Sequence, residues 1–134
     1  MAKSEIQETI KEVIGGRFMK PSVKKAWVKA LRSGKYTKGT LQLKDKSGCH
    51  CVFGVLCEVH ALKHPKIAAE QTDPEKYMGC QYGLPKEVKE WAGFPDEKAS
   101  MSVDINGRRW HLMTLNDDTT HTFEQIADLI EQQL

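Results

Sequence analysis

The sequence predicts an α+β fold: a small sheet of about three strands packed by four to five helices, in a single domain over residues 1–134. Two observations predict it. Apolar residues recur at helical spacing in short segments that each carry one apolar stripe, so each segment must be covered by a neighbouring element. Asn106-Gly107 also stands between two runs of alternating polarity, the strongest short-range signal for a hairpin. A chain of 134 residues buries roughly two thirds of its unfolded surface as one domain, so neither a metal nor a disulfide is required to hold it.

Along the chain, Ser4 and Gln7 form a capping box ahead of Ile6, Ile10, Val13 and Ile14 on one face, and Gly15-Gly16 ends this amphipathic helix over residues 1–16, an element suited to oligomerisation. Ser22, after Pro21, is placed to cap a basic helix with Val23, Ala26, Trp27, Ala30 and Leu31 inward and Gly34 at its end. In "GTLQLKDKSG" Leu41 and Leu43 alternate with Thr40 and Gln42 before a turn between Asp45 and Gly48, a strand pattern. Val52, Val55, Leu56, Val59 and Leu62 repeat at i, i+3, i+4 and i+7, predicting a buried helix from about Cys51 to Lys63. Pro65, Pro74, Gly79 and Gly83 make residues 64–84 a loop with one helical turn near 67–71. Pro85 suits the first position of a two-turn helix that buries Val88, Trp91 and Ala92 and stops at Gly93. The hairpin occupies 100–113. Thr122 and Gln125 then cap a terminal helix with Phe123, Ile126, Ala127 and Ile130 on its core face.

Composition is that of an ordinary globular domain, and no apolar run approaches the roughly 20 residues that span a bilayer. The start, "MAKSEIQETIKEV", does not read as a secretory leader, so a reducing cytoplasm and free thiols are expected. The net charge of +2 conceals an asymmetry: ten basic residues and one acid lie between Arg17 and Lys46, and five acids with no Lys or Arg between Asp117 and Leu134. Such ends pair within the chain, pair between subunits or present the basic part to an anion. A homo-oligomer is the expectation drawn from them.

"SGCHCVFGVLCEVHALKH", residues 47–64, holds three of the four cysteines and three of the five histidines. Cys57, His60 and His64 share one helical face, with Cys49 and Cys51 just before it, and thiolate and imidazole are the ligand types zinc prefers. The spacing matches no paired-ligand knuckle, however, and free cysteine is among the most buried residue types. A nucleophile reading places Cys51 at a helix N-terminus, which favours thiolate, with His111 and Asn116 or Asp117 completing a triad of a hydrolase or transferase. The apolar period through the cysteines favours packing, so neither a catalytic residue nor a metal or other cofactor is expected.

The residues singled out for ligand binding are Lys35 and Tyr36 in the Gly-flanked "SGKY" loop, Arg108 and Arg109 in "NGRRWH", and Asn116 in "LND". Cations on the ends of rigid elements, beside an aromatic ring, suit a phosphate-bearing ligand. A competing reading makes Asn116 and Asp117 a simple turn. Duplex nucleic acid through the basic helix is a further alternative, weakened by the near-neutral total charge. The phosphate loop, dinucleotide, zincin and serine-hydrolase signatures do not occur.

The stretches "KKAWVKALRSGKYTKGTLQL", "CHCVFGVLCEV", "YGLPKEVKEWAGF" and "LMTLNDDTTHTFEQIADLIEQQL" together resemble a family of small uncharacterised proteins of tailed bacteriophages and prophages, over roughly residues 23–134. That resemblance carries no activity with it. It implies a phage-encoded accessory protein in the bacterial host cytoplasm, acting in host takeover or anti-defence by binding a host protein or sequestering an anionic, nucleotide-like small molecule, with no membrane partner.

Overall fold

A computed structural model describes residues 19–94, 101–118 and 120–134. Among them the chain forms α1 (Pro21–Arg32), α2 (Val52–Lys63), α3 (Pro65–Glu70), α4 (Lys86–Ala92), β1 (Ser102–Ile105), β2 (Arg108–His111), α5 (Leu112–Asp117) and α6 (Phe123–Gln133). The fold is α+β as expected, but the described sheet has two strands and not three. The helix expected over 1–16 lies outside the described residues.

The hairpin forms as the sequence requires. Asn106 and Gly107 take φ of 52° and 82°, the paired left-handed conformations of a type I′ turn, and the register runs from Ile105 opposite Arg108 to Ser102 opposite His111. The outer edge of β1 is closed by a side chain: Asp104 N–H donates to Gln133 Oε1 at 2.6 Å and Gln133 Nε2 donates to Asp104 C=O at 2.8 Å. One primary amide thus does the hydrogen bonding of a third strand at that position.

The strand expected in "GTLQLKDKSG" is replaced by a loop with isolated bridges, in which His50 pairs with both Lys38 and Lys44. Two local features explain the difference. Leu41 sits at φ 71° with its side chain exposed, which breaks the alternation after two residues. Asp45 Oδ1 accepts the N–H groups of Ser47 and Cys49 at 2.9 and 3.0 Å, and this Asx turn reverses the chain before a ladder can extend.

α1 begins at Pro21 without the side-chain cap expected from Ser22, because Ser22 lies inside the helix and the N-cap position falls on Lys20, whose side chain has no acceptor. Trp27, fully buried, anchors the helix: its Nε1 donates to Val52 C=O at 2.9 Å, and its ring stacks on Phe53 and meets Phe94 edge-on at 6.2 Å. The basic and acidic ends meet here. Arg32 pairs with Asp128 at 2.5 Å and Glu131 at 3.0 Å, and Lys24 Nζ donates to Glu131 C=O at 3.4 Å. The asymmetry that suggested association between subunits is therefore spent in part on packing α1 against α6 within one chain.

α2 is the central helix, with Val52, Phe53, Val55, Leu56, Cys57 and Val59 all buried; Leu62, expected on the same face, is exposed at its end. Its Gly54 is a packing residue, since a Cβ there would overlap the carbonyl oxygen of Leu43. α3 arises where a single turn was expected, from Pro65 at its first position. α4 starts one residue after Pro85 and stops at Gly93, whose φ of 92° is left-handed. Trp91, expected inward, is partly exposed. α6 has the capping box and buries the four residues expected of it.

The unforeseen helix is α5, capped by His111, whose Nδ1 accepts Met113 N–H at 3.2 Å. It delivers Asn116 to the interior. Asn116 is 0% exposed; its Oδ1 accepts Val52 N–H at 2.9 Å, and its amide donates to Gly39 C=O at 3.0 Å and Asp117 Oδ1 at 3.2 Å. Every hydrogen-bonding group of its side chain is engaged with protein, so the structure corrects the assignment of Asn116 to ligand binding and the competing view of it as a plain turn residue.

Two substitutions test this packing by thermal or denaturant unfolding. Asn116→Ala is expected to cost about 2–4 kcal/mol, by leaving the Val52 amide and Gly39 carbonyl buried without partners. Gly54→Ala, which would stabilise an exposed helix by about 1 kcal/mol, is expected here to destabilise by about 2 kcal/mol or more because backbone must move.

Candidate anion-binding cleft

The loop after α1 carries Lys35 and Tyr36 across the face of the start of α6. Ser33 closes α1, its Oγ donating to Ala30 C=O at 2.6 Å, and Gly34 turns the chain at φ 75°. Between this loop and the α6 N-terminus lies an open cleft of about 540 Å³, walled by Tyr36, Lys38 and Thr40 on one side and His121, Thr122 and Phe123 on the other. Lys35 Nζ lies 5.6 Å from the centroid of the Tyr36 ring, so the aromatic wall has a cation over it.

The cleft carries charges of both signs, with Lys38 and the α6 N-terminus as its positive elements. Thr122 Oγ1 accepts Gln125 N–H at 3.2 Å and Gln125 Oε1 accepts Thr122 N–H at 2.9 Å, which leaves the positive end of the helix dipole and the Phe123 and Glu124 residues at the cleft wall. Asp118 is held below the usual carboxylate range by the amide and hydroxyl of Thr120, and its ionised oxygen lies 3.7 Å from His121 Nδ1. Lys38 Nζ approaches Asp118 C=O at 3.5 Å, too long to commit the ammonium. Arg32 also borders the cleft but is committed to its acidic partners, and Glu124 is the carboxylate in the wall.

Of the residues singled out, Tyr36 lines this cleft and Lys35 lies against its ring, outside the lining; Arg108 and Arg109 stand on the hairpin with other partners. The Arg108 guanidinium lies 4.5 Å from the centroid of the Trp110 ring. Arg109 pairs with Asp104 at 3.3 Å and donates to Ser102 C=O. Lys38 belongs to the same loop as the residues singled out from the sequence, whereas His121 was not singled out, since only the packing of α6 against α1 brings it to this cleft.

The cysteine segment is built for packing. All four thiols are free. Cys51 is the N-cap of α2, where its Sγ accepts Gly54 N–H at 3.4 Å, and the helix terminus does favour thiolate. Burial nevertheless dominates and pushes the thiol up to about 11, so Cys51 is protonated at neutral pH. Its proposed partner His111 is occupied in capping α5. Cys57 is buried and pushed well above the ordinary range, again chiefly by burial. His60 and His64 stack face to face at 3.9 Å; His60 Nδ1 is hydrogen-bonded to Tyr77 Oη at 2.6 Å, and His64 Nδ1 donates to His60 C=O at 2.7 Å. With Trp91 edge-on to both they form an aromatic cluster. Among the described residues no three His, Cys, Asp or Glu side chains converge as a metal site would need.

The match to a family model covers residues 19–134, and the chain belongs to that family, a domain of unknown function (DUF8296). No curated protein and no solved structure matches it. Among the described residues no helix is long and apolar enough to cross a membrane.

Two measurements follow from this chemistry. In the native protein Cys51 and Cys57 are expected to react with iodoacetamide orders of magnitude more slowly than in denaturant, and more slowly than Cys49 and Cys80; a fast-reacting Cys51 that slowed on replacing His111 would restore the nucleophile reading. Burial, and then His64, lower the His60 pKa, so the folded protein keeps His60 neutral where the unfolded chain protonates it. Stability should therefore fall as pH drops through the ordinary histidine value of about 6.5, and His60→Gln, which keeps a hydrogen-bonding side chain for Tyr77, should flatten that part of the profile of melting temperature against pH.

Proposed function

We propose that this protein is a non-enzymatic binding protein that sequesters a small anionic, nucleotide-like ligand in the cleft between the 34–40 loop and the start of α6. The observation that carries this reading is the placement of Lys38 and Tyr36, with Lys35 above the ring, opposite the capped N-terminus of α6. A cleft of about 540 Å³ is within the roughly 300–1,000 Å³ range of small-molecule sites. Tyr36 and Phe123 supply apolar surface for a flat ring. Lys38, His121 and the helix end supply donors and positive potential for a phosphate. Capture needs no nucleophile, which agrees with the buried, protonated thiols.

The biological setting is part of the same proposal. The resemblance to small proteins of tailed bacteriophages supports a phage-encoded factor acting in the bacterial host cytoplasm, where removing a nucleotide-like signal would serve host takeover or anti-defence. A host protein as the partner is the second form of this reading, and the exposed Lys25 and Lys29 on α1 are the surface that supports it.

Calorimetric titration with the four ribonucleoside monophosphates and the matching nucleosides tests the site. At least one monophosphate is expected to bind more tightly than its nucleoside, and Lys38→Ala to weaken it by about tenfold or more, as one charge-assisted hydrogen bond contributes about 1.5–3 kcal/mol. Tyr36→Ala should weaken both forms, while Arg109→Ala should leave affinity within about twofold. Binding that survives the folded Lys38→Ala/Tyr36→Ala variant intact, or that no monophosphate shows, would overturn the reading.

A further inference from the structure

His50 lies outside the lining of the cleft, yet it holds the loop that lines it at three points. Its main chain brackets Lys38: His50 N–H donates to Thr37 C=O at 2.9 Å, and Gly39 N–H donates to His50 C=O at 2.6 Å. Its ring meets the Tyr36 ring edge-on, at 73° with centroids 5.0 Å apart. The aromatic wall of the cleft and its ammonium, Tyr36 and Lys38, therefore both rest on one buried residue.

The His50 ring is itself tethered. Its side chain is 8% exposed, and Nε2 lies 3.1 Å from Glu58 Oε1, a bond that is the main reason the Glu58 carboxyl is held below its usual range. An ionised carboxylate only accepts, so in the neutral ring Nε2 carries the proton and Nδ1 keeps a lone pair. That lone pair is buried and has no hydrogen-bond partner among the described residues. A phenyl ring would fill this space without an unmet acceptor, and buried polar groups left unmet are rare enough in native proteins to need a reason. What histidine adds here is the donor that reaches Glu58. The bond fixes the rotation of the ring, since a half-turn would set carbon against the carboxylate in place of Nε2, and with the rotation it fixes the surface on which Tyr36 rests.

We propose that His50, tethered by Glu58, is a positioning residue for the anion cleft: it holds the Tyr36 ring in the orientation that stacks on the flat part of the ligand, and so governs the share of affinity that does not depend on phosphate. This role rests on the reading of the cleft as a nucleotide site, and it extends that site to two side chains, on the 49–51 segment and on α2, that do not line it. The main-chain bracket around Lys38 is independent of the side chain at position 50, so the phosphate contact survives changes there.

The test sets nucleosides against their monophosphates by calorimetric titration, in variants shown to be folded by melting temperature. In His50→Gln, whose amide donates to Glu58 but presents no ring to Tyr36, nucleoside and monophosphate should weaken by the same factor, roughly two- to tenfold for the loss of one aromatic contact. Their ratio should stay as in the wild type, whereas Lys38→Ala changes it. Glu58→Leu, at a position whose side chain is 39% exposed, should free the ring and reproduce the loss, while Glu58→Gln, which keeps an acceptor oxygen for Nε2–H, should retain wild-type affinity. Nitrogen NMR of protein labelled at histidine should show the Nε2–H form of His50 in the wild type and in Glu58→Gln. A wild type that binds no nucleoside and no monophosphate would remove the nucleotide reading of the cleft and this role with it. Given wild-type binding, an Nδ1–H form of His50, unchanged affinity in His50→Gln and Glu58→Leu, a loss confined to the monophosphate, or a loss in Glu58→Gln as large as in Glu58→Leu would overturn the positioning role alone.

Discussion

The structure depends on one buried amide. Asn116 stands where three segments distant in sequence converge: α5, the first residue of α2, and the loop at Gly39. Its oxygen satisfies Val52 N–H, one of the amides that a helix start leaves without an internal partner, and its nitrogen holds Gly39 C=O. With the loop fixed at Gly39 and again at Leu43, where Cys51 N–H donates to Leu43 C=O at 3.3 Å, the intervening residues have little freedom. Lys38, next to Gly39, and His50, next to Cys51, adjoin these two anchors, so the cleft beside the 34–40 loop is a consequence of how α2 is capped.

The same helix start shows two electrostatic effects in competition. A cysteine at a helix N-terminus gains thiolate character from the dipole, an effect of about 0.3–1 kcal/mol, up to about 2 in partly buried geometry. Removing the thiolate from water costs more, and Cys51 is fully buried; desolvation wins and the group serves as a small apolar plug with a weak acceptor. Sequence position supplies the first effect and tertiary packing the second. His60 follows the same rule with opposite charge, since burial there disfavours the imidazolium.

Charge along this chain works mainly at short range. The basic α1 and the acidic α6 meet through Arg32, Asp128 and Glu131, a partly exposed network whose contribution to stability is modest and salt-dependent. Its larger effect is on orientation, since the bidentate contact fixes how α6 lies on α1 and so how its N-terminus faces Tyr36 and Lys38. Gln133 does the equivalent at the other end of α6, clasping β1.

Much of this architecture was legible in the residues. Asn106-Gly107 specified its hairpin, Thr122 and Gln125 their cap, Gly93 its helix stop, and the apolar period of 52–59 a buried helix, because each rests on local conformational preference or periodicity. The failures share one physical cause, which is that their outcome depended on contacts distant in sequence. Leu41 alternates as a strand residue would, but its N–H is taken by Asp117 Oδ1 at 3.0 Å, far along the chain, and it sits at positive φ. "LND" reads as a turn by propensity and became a helix because Leu112 and Leu115 had a core to enter. His50, one histidine in a crowded segment, was enclosed only when Glu58, 3.1 Å from its Nε2, and the Tyr36 ring packed around it. The sequence by itself determined α1, α2, α4 and α6, the hairpin and the identity of the cationic loop; tertiary structure alone decided α5 and which of those charges face a cleft, since burial and long-range pairing, the quantities that set a side chain's chemistry, do not exist until the elements pack.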